Sequence, residues 1–220
     1  MKAGVVGMEK YLQSCQSEFW KAVFREELNY LLNNLKGTKD ILSIGCGPAI
    51  IETGLAKYGF NVTGLDISRE ALNQAPDNIR KVTGSAEKTD FPDCSFDAVI
   101  YVVSLQFIEK YKEAVKETSR ILKPIGKILA LLLNPESEFF KEKTKNPDSY
   151  INKIRHTDLI EIKKTIAEYF SIETEYILGI KGAEIFQSTD SNIASLYFIK
   201  GIKKQLISII ENQNPYTYYI

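Results

Sequence analysis

The chain has 220 residues, 28 Lys and Arg against 28 Asp and Glu, and a single histidine. Balanced charge supplies no basic field, which argues against nucleic acid as an obligatory partner, and the length fits one domain with a full core or at most a small cap. Three scattered cysteines (Cys15, Cys46, Cys94) without a CxxC pair argue against a disulfide framework or a structural zinc site and point to a reducing cytoplasm. The first residues carry no signal-peptide pattern, and the longest apolar run, Ile128 to Leu133, is far too short to span a bilayer.

In chain order, Met8 to Leu35 places Leu12, Phe19, Trp20, Val23, Phe24, Leu28, Leu31, Leu32 and Leu35 near helical spacing, and Lys36-Gly37 supplies a stop. This predicts one or two amphipathic helices lying against the domain that follows. From Asp40 onward strands are expected at 40–45, 60–65, 79–83, 96–102 and 126–133, with helices at 49–58, 68–75 and 106–121. Short β-rich runs separated by helical patterns mean a parallel sheet with helices on both faces. The run Phe96 to Val102 is nearly all apolar after Asp97, as suits a central strand.

The rhythm breaks at Asn134 to Thr157, a polar stretch with two Asn-Pro turns and interleaved Phe139, Phe140, Tyr150 and Ile151. It is longer than an ordinary connection and reads as a lid. A helix at 157–169, with Thr157 as its N-cap, and strands near 171–180 and 193–200 complete the domain. No helix separates those last strands, so one runs antiparallel. The expected architecture is therefore an α/β, Rossmann-like, seven-stranded, mostly parallel sheet with the last strand antiparallel and helices on both faces. It forms a single domain over 1–220, with a helical flank (1–37), a lid (134–157) and a tail (203–220). The Tyr-rich tail can close over the domain or pack against a second subunit; the sequence does not choose.

The strongest local signal is Gly45-Cys46-Gly47-Pro48-Ala49 after the apolar run Ile41 to Ile44, followed one strand later by Asp66. A strand, glycine turn, helix and second strand tipped by a carboxylate make a site for an adenine nucleoside. A phosphate-binding loop needs Lys-Ser/Thr after its last glycine, where this chain has Ile50-Ile51-Glu52-Thr53. A dinucleotide fold needs its third glycine where Ile50 stands, and a β-branched side chain blocks that approach. A nucleoside without phosphates needs only the two glycines and the acid.

On these residues the chain resembles the class I S-adenosylmethionine-dependent methyltransferases, in particular their type 11 branch. Ile41 to Ala49 resembles the family's first motif, Val62 to Ser68 its ribose-binding strand end, Gly84 to Val99 its adenine loop, and Glu117 to Gly126 the helix and turn before the fifth strand. The resemblance implies that Gly45 and Gly47 lie under the methionine portion and ribose, with Cys46 contributing backbone. It implies that Asp66 accepts from the ribose hydroxyls and Ile67 packs on the adenine. Ser85, Ala86 and Glu87 meet the adenine edge, and the carbonyl of Val102 faces the methionine end. Four positions depart from the family's pattern: Ser43 and Ser85 replace acids, and Ala49 and Ile125 replace glycines. Cys46, beside a helix start, reads as packing in a tight turn, not as a nucleophile.

Methyl transfer from a sulfonium is an in-line displacement that needs alignment more than acid–base chemistry. The stretch after the fourth expected strand reads Leu105-Gln106-Phe107, so it offers no imidazole base. Catalytic residues stay unassigned; the candidates are Gln106, His156 and Tyr11, and Tyr11, Phe139, Phe140 and Tyr150 form a group able to enclose a sulfonium or apolar acceptor. The expected function is methyl transfer from S-adenosylmethionine to a small molecule. The alternative is a non-catalytic module that binds S-adenosylmethionine or S-adenosylhomocysteine as a sensor or assembly partner.

Overall fold

The computed structural model describes residues 12–205, so Tyr11 and nearly all of the tail lie outside the described residues. Eight strands form one sheet in the order β3-β2-β1-β4-β5-β8-β6-β7. In sequence they are β1 (Asp40–Ile44), β2 (Asn61–Asp66), β3 (Arg80–Thr83), β4 (Phe96–Val102), β5 (Leu122–Leu133), β6 (Phe170–Lys181), β7 (Glu184–Phe186) and β8 (Ala194–Lys203). β1 to β5 pair in parallel, and β8 inserts antiparallel between β5 and β6. The sequence pattern gave seven strands. The eighth, β7, is a three-residue edge strand that hairpins onto β6 around Gly182 at φ +59° and lays Phe186 over Gly179. A run that short carries no period to detect.

The helices are α1 (Glu18–Asn34), α2 (Ile50–Lys57), α3 (Arg69–Leu72), α4 (Tyr111–Ile121), α5 (Glu138–Thr144) and α6 (Leu159–Tyr169). The helix expected over 106–121 is instead a 3₁₀ turn, Leu105–Phe107, followed by α4. Asp158, not Thr157, caps α6 by accepting from Glu161 N at 2.9 Å. Alternation along buried strands divides the core into two layers. Ile41, Ala98, Ile100, Leu129 and Leu131 face α1 and α2, whereas Leu42, Val99, Tyr101, Ile128 and Ala130 face α4 and α6. The successive residues of a strand point to opposite faces, so a sheet covered on both sides requires apolar residues at every position.

The segment after β5 holds α5 and a second 3₁₀ turn, Tyr150–Lys153. Phe139, Phe140 and Ile151 are buried in the layer beside α1, where the Phe139 ring meets Trp20 edge-on at 6.3 Å. Among the described residues, no helix is long and apolar enough to cross a membrane.

Candidate functional site

The chain leaves β1 toward β2 on one side of the sheet, and β4 pairs with β1 on the other. This reversal opens a crevice beyond the carboxyl ends of β1 and β4, the place where open α/β sheets bind ligands. Gly45 and Gly47 line it at φ +72° and +53°. A Cβ on Gly45 would stand 2.6 Å from Ser104 Cβ, so only glycine fits the wall, and Ser104 Oγ donates to the Ile44 carbonyl to hold that wall in place. Gly47 faces open space, which lets a ligand approach its backbone.

Ala49 and Ile125, two positions where the family pattern has glycine, both adopt the left-handed conformation, at φ +58° each. The turns have kept their shape with side chains that strain it. Val103, directly after β4, is likewise left-handed at φ +49°, a rare state for a β-branched residue, and it borders the crevice.

Asp66 ends β2 with both carboxylate oxygens engaged by backbone amides, Oδ2 by Gly47 N and Oδ1 by Ser68 N, each at 2.8 Å. These bonds orient the group and leave further lone pairs for hydroxyl donors. Ile67, next in sequence, is 80% exposed. A large apolar side chain so placed beside an oriented carboxylate offers a platform for a planar ring. Gly84 N donates to the Asp66 carbonyl at 3.1 Å and ties the next loop to this strand end. In that loop Ser85 Oγ accepts from Glu87 N at 3.2 Å and Ala86 is buried. Gly45, Cys46, Gly47, Asp66, Ile67, Ser85, Ala86, Glu87 and Val102 thus all stand on the turn, the two strand ends and the loop at one end of the sheet.

Cys46 packs its sulfur against Gly64, where an added Cβ would come within 2.6 Å of Sγ. Burial, reinforced by the carboxyls of Glu52 and Asp66, pushes this thiol well above its ordinary range, the opposite of an activated nucleophile.

The acceptor-side candidates separate. Gln106 is fully buried, and its amide clamps the end of β5: Nε2 donates to Leu133 O at 3.1 Å, and Leu133 N donates to Oε1 at 2.7 Å. Its backbone carbonyl also accepts from Arg155 N and His156 N. His156 Nε2 lies 3.0 Å from the carbonyls of both Ile108 and Glu109, which requires the proton on Nε2, and its ring rests 4.6 Å from Tyr111. Both residues join the segment after β5 to the turn after β4. Tyr150 stacks on Phe107 at 6.2 Å across the same junction.

Two acids escaped the sequence reading. Glu27 on α1 and Glu52 on α2 are 5% and 2% exposed. Glu52 Oε1 accepts from Ser43 Oγ, so an acid is present at Ser43 after all, delivered from the neighbouring helix. Burial raises the carboxyl of Glu27 to about 8, with Glu52 adding to the rise, and that of Glu52 to about 7, where the Ser43 bond offsets part of the penalty. The available signal was Glu27 at the centre of the Trp20, Val23, Phe24, Leu31 stripe, where every other residue is apolar. Among the described residues, no group of three or more His, Cys, Asp or Glu is arranged to hold a metal.

Residues 42–130 match the family model described as "Methyltransferase domain". A demethylmenaquinone methyltransferase of Corynebacterium glutamicum is 31% identical over 114 residues, 51% of this chain and 47% of that protein. A ubiquinone biosynthesis O-methyltransferase of Vibrio campbellii is 25% identical over 182 residues, 69% of this chain and 77% of that one. The chain spans about half the length of most of the curated relatives it matches. Among solved structures, a protein of Thermotoga maritima described as an S-adenosylmethionine-dependent methyltransferase, possibly a histamine N-methyltransferase, superposes with a TM-score of 0.76 at 20% identity. That superposition covers 89% of this chain and 95% of that one and establishes the shared fold.

Proposed function

We propose that this chain, which carries a class I S-adenosylmethionine-dependent methyltransferase domain, binds S-adenosylmethionine at the carboxyl ends of β1, β2 and β4 and methylates a small molecule. The observation that carries the reading is Asp66, oriented by two backbone amides between the open Gly47 and the exposed Ile67. In this assignment Gly45, Cys46 and Gly47 present backbone to the methionine portion and ribose. Asp66 accepts from the ribose hydroxyls, and Ile67 covers one face of the adenine. Ser85, Ala86 and Glu87 line the adenine edge, and Val102, followed by the strained Val103, borders the methionine end. The cofactor supplies a sulfonium-borne methyl group when bound. The work left to the chain is to align the acceptor and exclude water, which suits a site with no imidazole base.

Small-molecule acceptors are supported by the zero net charge and by similarity to a demethylmenaquinone methyltransferase, a ubiquinone biosynthesis O-methyltransferase and a possible histamine N-methyltransferase. The 134–157 segment serves as the cover: it packs on α1 through Phe139 and on the turn after β4 through Tyr150.

Calorimetric titration with S-adenosylhomocysteine and with NADH tests the reading. Selective binding of the former is expected. Asp66→Ala removes two hydrogen bonds to a charged acceptor, so affinity should fall about 100-fold or more. Failure of the wild-type chain to bind S-adenosylhomocysteine, or an Asp66→Ala variant that binds it equally well, refutes the assignment. Binding without turnover across an acceptor panel identifies the non-catalytic alternative.

A further inference from the structure

The helix and turn from Glu117 to Gly126 stand outside the site assigned to the cofactor, yet their first charged pair reaches the loop that lines the adenine edge. Glu117 and Arg120 lie three residues apart near the end of α4, whose inner face is fixed by Thr118 through a 2.7 Å hydrogen bond with the Tyr101 hydroxyl. The two side chains meet fork to fork. Arg120 Nε donates to Glu117 Oε2 at 2.9 Å, and Nη2 donates to Oε1 at 2.7 Å. Exposed ion pairs contribute little, but this one is bidentate and the Glu117 side chain is only 11% exposed. The bond with Arg120 holds the Glu117 carboxyl down at about 2, against the opposing effect of burial, so it stays ionised at neutral pH.

Both groups direct their remaining bonds to the loop between β3 and β4. Glu117 Oε1 accepts from Thr89 N and from Thr89 Oγ1, each at 2.7 Å. Arg120 Nη2 donates to the Phe91 carbonyl at 2.9 Å, and Nη1 reaches the Asp93 carboxylate. Among the described residues, every hydrogen bond from 85–93 to a helix or strand ends on one of these two side chains. Backbone bonds take over only at the loop's ends: Gly84 N on the Asp66 carbonyl, and Cys94 N and Ser95 N on the carbonyls of Arg120 and Ile121. Ser85, Ala86 and Glu87 come just ahead of Thr89, and the bond from Glu87 N to Ser85 Oγ is internal to them. Buried Ala86 and Phe91 hold the loop down, but apolar contact is non-directional and does not fix where its amides and carbonyls point.

We propose that Glu117 and Arg120 are positioning residues for base recognition: by pinning the loop at Thr89 and Phe91 they make 85–87 present one fixed set of donors and acceptors to the adenine edge. The proposal rests on the methyltransferase reading for the place of the nucleoside. Neither side chain touches the cofactor in this assignment; both act through the loop, from a helix that the core holds still.

The test uses the full chain and compares S-adenosylhomocysteine with S-inosylhomocysteine, which keeps the ribose and the amino-acid arm and carries an oxo group in place of the 6-amino group of the base. The variant is Arg120→Lys, which keeps the charge and loses the planar fork. Circular dichroism checks that it folds, amide hydrogen exchange follows the loop, and calorimetry measures both ligands. The wild type should bind the adenine ligand at least about 10-fold more tightly than the inosine one. Arg120→Lys should narrow that preference to about 3-fold or less by weakening S-adenosylhomocysteine alone, and exchange should quicken at 85–93 while β1 and β4 keep their protection.

A folded variant that keeps the wild-type preference overturns the proposal. Weakening of both ligands alike is such a result, since it marks the pair as a support for stability only. A wild type that binds the two ligands equally overturns it as well. If Arg120→Lys does not fold, Glu117→Gln, which keeps the side-chain shape and removes the charge, is judged by the same criteria. A wild type that binds neither ligand refutes the methyltransferase assignment itself, and the proposal falls with it.

Discussion

Replacing Glu27 by Gln should stabilise the protein, and by an amount that depends on pH. The carboxyl sits at about 8 in the folded chain against 4.5 for the free group, because burial opposes ionisation and Glu52 lies beside it. Below pH 4.5 both folded and unfolded chains hold the proton, and the residue carries no penalty. Between 4.5 and 8 the unfolded chain releases the proton while the folded one keeps it, so stability falls as pH rises through this window and levels off above it. Linkage at 1.36 kcal/mol per unit gives a cost of about 1 kcal/mol at pH 5 and about 4 kcal/mol at pH 8. Gln has nearly the same shape, and the native carboxyl has no bond among the described residues for it to lose, so Glu27→Gln should recover most of that difference.

The groups that act electrostatically with Glu27 are Glu52 on α2 and Tyr150 in the covering segment. Glu52 itself faces Cys46 and Asp66. Urea unfolding of both chains at pH 5 and pH 8 is the assay, because pH effects common to the two chains cancel in the difference. Stabilisation should be larger at pH 8 by about 3 kcal/mol, or roughly 6–12 °C in midpoint for a chain of this size. Equal stability changes at the two pH values would refute the claim that an uncompensated buried acid resides there. The double variant with Glu52→Gln should gain less than the sum of the two single gains, since Glu52 raises the cost of ionising Glu27.

Gln106→Ala leaves Leu133 N and O without partners in a fully buried setting and should cost about 3 kcal/mol in urea unfolding; a cost below 1 kcal/mol would contradict the clamp. Gly45→Ala combines a left-handed backbone with a Cβ 2.6 Å from Ser104, so it should destabilise by about 2 kcal/mol or more and abolish S-adenosylhomocysteine binding; tolerance on both counts would refute the close-packed wall. A disulfide-exchange reagent at pH 8 should label the exposed Cys94 quickly and Cys46 slowly, so Cys94→Ser should remove the fast phase; its survival, with loss in Cys46→Ser, would mean that the turn holds an active thiol.

Much of this protein is written locally in its sequence. The short, nearly continuous apolar runs set the strands, because a strand covered on both faces buries residues of either parity. The spacing from Gly45 and Gly47 to Asp66 predicted that the carboxylate returns to the glycine turn, because a turn, a helix and a strand of set lengths bring it back there, where Gly47 N donates to it. Ala49 and Ile125 were legible as departures from glycine, but not that the turns would hold the left-handed conformation despite them. Gln106 drew attention in the sequence as a polar residue just after the fourth strand, and His156 as the chain's only histidine at the end of the expected lid. Their partners, Leu133 and the carbonyls of Ile108 and Glu109, lie 27, 48 and 47 residues away, so no local pattern announces them.

Glu27 is the sharpest case. In the sequence it is the one acid within an otherwise apolar helical stripe, which marks it as unusual without saying what it meets. The tight packing of α1 on α2 at Gly54 buries it within electrostatic reach of Glu52. Period and composition fix which residues can share an element, but which elements meet, and hence which charges are stranded without solvent, is decided only when the chain closes on itself.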